Sequence, residues 1–387
     1  MKLFLRILLY MILSIVLFVN AAITVEAEDE TDLKLYARSA LLMDAGSGRV
    51  LYEENGYEVM PMASTTKIMT CILALESGKT QEYVTVSCNA QGQPKVRLGI
   101  KEGERYKLED LLYSLMLESH NDVAVAIAEH LGGSVEGFAD LMNAKARELG
   151  CEYTYFVTPN GLDATKDGKQ HSSTAYDMAL MTAYALENKD FCKIIATSNY
   201  TFMDESGKKQ FTVYNKDAFL HMYEGAIGVK TGFTNGAGYC FVGAVEQEGA
   251  KFISVVLASG WPPNKSWKWA DTKALMNYGT ENYTYCSYIG EYIYGPLPVE
   301  DGIMPEVGLV IDRKEIGMLL RAEEKIECEY ELLPVLTAPV ENGQIAGYER
   351  YVLNGEIIAE FPIKTDGKVE KITLWYCFGK IVENFLI

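Results

Sequence analysis

Three short groups of residues carry chemistry-bearing side chains at close spacing: Ser64-Thr65-Thr66-Lys67, Ser119-His120-Asn121 and Lys230-Thr231-Gly232. A serine hydroxyl becomes an effective nucleophile only when a base takes its proton. A lysine three residues further along a helix shares the serine's face, and burial or a second cation lowers its pKa until it can be that base. Ser64 is therefore the candidate nucleophile, Lys67 its base and Lys230 the second cation. Ser119 can pass a proton between either lysine and a leaving amine, and Asn121 can hold a substrate amide. Lys230 and the Thr231 hydroxyl suit a terminal carboxylate. Gly232 lets a substrate approach the strand edge, where main-chain pairing aligns a peptide. The backbone N–H of Ser64, at a helix N-terminus, and that of Phe233, on a strand, are the candidate oxyanion donors.

Each group alone has a plainer reading. A serine before an apolar helix is most often a cap, Ser119 and Asn121 suit a turn between helices, and Lys230 suits a solvated strand end. Their order and structural contexts together carry the catalytic reading. His120 and His171 read as structural. No HExxH-type spacing or CxxC pair points to a metal, and no cofactor is called for.

These groups need elements to position them. Residues 40–55 read as a strand hairpin turning at Asp44–Gly48, and the apolar spacing of Ile68, Met69, Ile72, Leu73 and Leu75 predicts a buried helix beginning near Ser64 or Thr65. Residues 107–134 predict two helices with their break at 118–121, followed by helices over 135–149 and about 175–186. Alternating strands over 226–260 and a helix near 266–278 close an α/β (α+β) domain whose single sheet is built from both its ends. Beyond about Gly290, short strands with Asn-Gly turns at 342–343 and 354–355 predict a small all-β domain. In the tail, 372–387, apolar residues share one broad helical face. Two readings fit it: a helix lying on a membrane, or a final packed element.

The 387 residues carry 53 acidic and 35 basic side chains, a net charge of −18 that argues against nucleic acid as a partner. Lys2 and Arg6 precede an apolar run and small residues ending at Ala27, the pattern of a signal peptide, so the mature chain is expected outside the cytoplasm. The expected division is a signal peptide over 1–27, a catalytic domain over 28–288, a β-rich domain over 289–370 and an amphipathic segment over 371–387. The eight cysteines read mostly as core residues, with room for one or two disulfides.

The three groups, with "LLMDAGSGRVLYEENGYEVMPMASTTKIMT", "FVTPNGLDATKDGKQHSSTAYDMALM", "GAIGVKTGFTNGAGYCFVG" and the later "APVENGQIAGYERYV", resemble the low-molecular-mass penicillin-binding proteins of the D-alanyl-D-alanine carboxypeptidase type, peptidase family S11. The likeness covers about residues 33–370. It implies a penicillin-binding, serine β-lactamase-like domain with a central antiparallel sheet and a helical subdomain. It also implies removal of the terminal D-Ala from peptidoglycan stem pentapeptides through an acyl-enzyme at Ser64, acylation of that serine by β-lactams, and a C-terminal helix on the outer face of the cytoplasmic membrane. By the same resemblance Lys265 or Lys268 helps bind the substrate carboxylate. His120 in the middle of the second group and Phe233 after the third depart from the commoner residues. A class A β-lactamase shares the three groups but needs a glutamate that 153–174 does not convincingly supply. An endopeptidase cutting D-alanyl cross-links and a non-catalytic penicillin-fold wall-binding or regulatory protein are the remaining alternatives.

Overall fold

Two hairpins from distant parts of the chain meet in one sheet. In the computed structural model, which describes residues 33–385, β1 (Ser39–Asp44) and β2 (Val50–Glu54) come from the first, and β3 (Ala226–Thr234), β4 (Gly238–Gln247) and β5 (Ala250–Leu257) follow much later. The order is β2-β1-β5-β4-β3, antiparallel throughout, with β1 registered on β5 from Ser39↔Leu257 to Asp44↔Phe252. The signal peptide expected over 1–27 lies outside the described residues.

All six residues of β1 are buried because helices cover both faces of the sheet. Leu41 and Met43 enter the large core that the middle helices share. Leu42, one residue out of phase, meets Gly279 of the helix Trp267–Asn282. The helical middle comprises α1 (Lys67–Glu76), α2 (Leu108–Leu117), α3 (Asn121–Gly132), α4 (Val135–Glu148) and α5 (Ala175–Leu186). Their apolar faces supply Ile68, Leu111, Ile127, Phe138 and Met178 to that core. Ser134 and Thr174 cap the last two by accepting from Gly137 N and Asp177 N at 3.0 Å.

A helix over Lys189–Ala196 and a hairpin of Asn199–Met203 with Gln210–Tyr214 were not expected from periodicity. Each is short, and only Phe202 and Val213 of the hairpin are buried, so little apolar pattern marks it. Between Thr284 and Asp366 the regular elements are all strands. Six strands run in the order Glu327–Leu332, Ile345–Leu353, Glu356–Asp366, Glu306–Ile311, Leu297–Glu300, Leu336–Thr337, while Thr284–Tyr288 pairs separately with Ile316–Leu320. The Asn354-Gly355 turn has φ of 51° and 82°, the left-handed pair that a two-residue hairpin requires. All eight cysteines are free thiols, so the room left for disulfides is not used.

The tail forms a helix over Leu374–Phe385 with Leu374 90% and Trp375 82% exposed, and Phe378 and Ile381 also exposed. Among the described residues no helix is long and apolar enough to cross a membrane.

Candidate active site

Ser64 lies in a 3₁₀ turn over Ala63–Thr66 that runs into α1, so the α-helix begins at Lys67 rather than near Ser64 or Thr65. Two threonine hydroxyls tighten this turn. Thr65 Oγ1 donates to Met62 O at 2.6 Å and Thr66 Oγ1 to Ala63 O at 2.7 Å. Residues three apart eclipse in a 3₁₀ turn, so the change of helix type still delivers the lysine to the serine. Lys67 Nζ lies 2.9 Å from Ser64 Oγ.

Lys67 is fully buried, and its other partners are Asn121 Oδ1 at 3.0 Å and the Asn160 carbonyl at 2.6 Å. Burial holds its pKa well below the ordinary lysine value, Lys230 lowers it further, and Asp122 opposes both. Among the described residues no carboxylate pairs with it. Burial shifts an amine of this kind toward its neutral form, in which it can accept the proton of the hydroxyl beside it.

The turn between α2 and α3 places the second group. Ser119 takes φ +65° and its buried Oγ has no hydrogen-bond partner among the described residues, although Ser119 lines the cleft. Asn121 is anchored by its Nδ2, which donates to Pro94 O at 3.3 Å, and by its backbone N–H, which donates to Val96 O at 2.8 Å. His120 points away into the protein. Its Nδ1 meets Ser114 Oγ at 2.8 Å and its Nε2 meets Glu118 at 3.2 Å.

Lys230, Thr231, Gly232 and Phe233 follow one another on β3, one of the two edge strands of the sheet. Lys230 is buried, its Nζ donating to Thr231 O at 3.0 Å, and burial pulls its pKa down to about 7, with Asp217 raising and Lys268 lowering it. Gly232 lines the cleft, and a Cβ there would lie 3.0 Å from Ser64 N and 3.1 Å from Ala63 Cβ, so its lack of a side chain also makes room for the turn that carries Ser64.

Ser64, Ser119, Asn121, Thr231, Gly232 and Phe233 line one cleft of about 590 Å³, with Lys67 and Lys230 buried beneath it. Lys265 and Lys268 line it too. Lys268 Nζ sits 5.0 Å from the Tyr239 ring centroid and 4.7 Å from that of Trp269, and burial lowers its pKa to about 8. The cleft wall also holds Lys95, Glu118, Leu162, Lys216 and Tyr239, none of which the sequence singled out. Asn160 was likewise missed, because it acts through a carbonyl that every residue owns. Asp217 is buried at the start of a short turn, and burial pushes its carboxyl up to about 7.

A serine beside a buried amine of lowered pKa, in a cleft lined with lysines, is equipped for acyl transfer from a peptide ending in a carboxylate. Residues 24–260 match the family model described as D-alanyl-D-alanine carboxypeptidase, and residues 295–371 match that of the penicillin-binding protein 5 C-terminal domain. The chain is 30% identical over 350 residues to D-alanyl-D-alanine carboxypeptidase DacF of Bacillus subtilis, covering 88% of each. To DacC of Escherichia coli it is 32% identical, covering 87% of this chain and 84% of the relative. Among solved structures, penicillin-binding protein 5 of Haemophilus influenzae superposes with a TM-score of 0.72 at 27% identity, over 87% of this chain and 98% of that one. Penicillin-binding protein D2 of Listeria monocytogenes, in its ampicillin-bound form, superposes at 0.56 and 30% identity over 64% and 99%. The chain belongs to the D-alanyl-D-alanine carboxypeptidases of peptidase family S11.

Proposed function

We propose that the protein removes the terminal D-Ala of peptidoglycan stem pentapeptides through an acyl-enzyme on Ser64. The observation that carries this reading is Lys67, a fully buried amine without a carboxylate partner among the described residues, 2.9 Å from the serine oxygen. Lys67 takes the hydroxyl proton as Ser64 Oγ bonds to the carbonyl carbon of the penultimate D-Ala. The C–N bond then breaks, and the leaving amine takes a proton that Ser119 relays from Lys67. Asn121 holds the substrate amide, and Lys230, Thr231 and Lys268 hold the terminal carboxylate. Phe233, with the Ser64 amide, supplies the oxyanion donors. Water then releases the acyl group.

The division into catalytic residues 28–288 and a β-rich 289–370 fits this reading, as does export ahead of residue 28, since peptidoglycan lies outside the cytoplasm. The exposed aromatic and aliphatic side chains of 374–382 support a surface-lying membrane helix, and deletion of 372–387 should then release active protein from membranes. Unchanged retention would count against it. β-Lactams should acylate Ser64.

The test of the central reading is D-Ala release from a diacyl-Lys-D-Ala-D-Ala tripeptide by the purified protein beside Ser64→Ala. Release by the wild type alone supports a carboxypeptidase with its nucleophile at Ser64. No release, with penicillin still labelling Ser64, would replace it by a cross-link endopeptidase or a penicillin-fold regulator.

A further inference from the structure

His171 lies behind the site, buried to 2% exposure, and joins two segments that meet at the catalytic pair. Its Nδ1 accepts from Val157 N at 2.9 Å and Thr158 N at 3.4 Å, which places the ring proton on Nε2. Nε2–H therefore donates to Thr66 Oγ1 at 2.8 Å, and the Thr66 hydroxyl in turn donates to Ala63 O at 2.7 Å. Burial, followed by the nearby Lys67, lowers the His171 pKa to about 4, so both bonds persist across neutral pH.

The segment whose amides the ring holds continues through Pro159 to Gly161. Pro159 O accepts from Thr70 Oγ1 at 2.7 Å, and Asn160 O reaches Lys67 Nζ at 2.6 Å and Ser64 Oγ at 3.4 Å. A side chain on Gly161 would overlap the Ala63 carbonyl. One imidazole thus bridges the turn that carries the nucleophile and the strap that carries the lysine's acceptor.

We propose that His171 is a positioning residue for proton transfer: through Thr66 and the 157–160 strap it sets the Asn160 carbonyl that aims the Lys67 amine at Ser64. The inference rests on the reading of Ser64 and Lys67 as nucleophile and base. A packing role alone would touch stability and leave the base untouched. A positioning role has a titration signature, because the Asn160 carbonyl favours the ammonium form of Lys67. Losing it lowers the lysine's pKa while leaving in place the other charges that face it, Lys230, Asp122 and His120.

The experiment measures acylation by a fluorescent penicillin against pH for the full chain and for His171→Ala, His171→Asn, Thr66→Val and Ser64→Ala. A misplaced catalytic group typically costs about 10²-fold. His171→Ala and Thr66→Val are expected to slow acylation by about 10-fold or more at unchanged initial penicillin affinity, with the acid limb moved to lower pH. His171→Asn retains an acceptor near Nδ1 and should recover part of the rate. If His171→Ala does not fold, Thr66→Val decides alone. Folded variants with acylation within about twofold of wild type and an unmoved acid limb would overturn the inference. Labelling of Ser64→Ala would instead overturn the reading on which it rests.

Discussion

Two buried amines, Lys67 and Lys230, sit close enough that the second lowers the pKa of the first, and the two must carry different charges to work together. In the proposed reaction the base must be neutral and the carboxylate-binding lysine charged. The acid limb of kcat/KM should therefore belong to Lys67 and the alkaline limb, near pH 7, to Lys230. Asp217 raises the Lys230 pKa, so Asp217→Asn should draw the alkaline limb to lower pH, read from a kcat/KM profile. Lys230→Met should move the acid limb upward, because Lys67 loses a repulsive neighbour, and should raise KM for substrates with a free carboxylate. His171 adds a stability effect. Its folded pKa of about 4 lies below the ordinary 6.5, so the unfolded chain takes the proton first as pH falls. Stability is unaffected above about 6.5 and declines between there and about 4, by up to ~3 kcal/mol at 1.36 kcal/mol per unit. Denaturant melts of wild type and His171→Asn across that window should differ in slope. The grouping of Ser64, Lys67, Asn121 and Lys230 was legible because it rests on side-chain types at helix and strand spacing. Asn160 and Asp217 were not, since one contributes a carbonyl and the other a charge acting across sequence-distant elements.

The site depends on how closely three elements approach: the Ala63–Thr66 turn, β3 and the 157–161 strap. Gly161 has φ +84° and no room beside the Ala63 carbonyl, whereas Gly168 has φ +76° and open space. Both alanine substitutions incur the left-handed backbone cost of ~1–2 kcal/mol. Only Gly161→Ala should displace the nucleophile's turn, losing penicillin acylation and considerably more stability. Gly168→Ala should acylate normally while melting slightly lower. Apolar periodicity announced α1 to α5, but the 3₁₀ turn ahead of α1 was hidden. Its cause is the back-bonding of Thr65 and Thr66, and threonine at a helix start reads equally well as ordinary capping.

At the scale of the whole molecule, the β-rich region is held to the first hairpin by Arg49 and Glu324, 275 residues apart in sequence. Arg49 Nη1 donates to Glu324 at 2.8 Å and to Leu319 O at 2.9 Å, and Leu319 N donates to Asp44 at 3.0 Å. Burial would raise the Glu324 pKa, yet the Arg49 bond prevails and holds it near 2. Arg49→Ala leaves that carboxylate without its cation but still held by Arg321 N and Asn354 Nδ2, a loss smaller than the ~3–5 kcal/mol of a fully buried pair. The expected outcome is a lower melting temperature with penicillin acylation little changed, because neither residue lines the cleft. No local pattern marks such a tie, so the sequence showed the two regions without what joins them. β3, finally, ends the sheet with an open edge along the cleft. Open edges invite stray strands and aggregation, and proteins usually blunt them. Here charged residues stand in the cleft beside β3, Lys95, Glu118, Lys216 and Lys265 among them, and charge along an edge is one of the ways that proteins discourage such pairing.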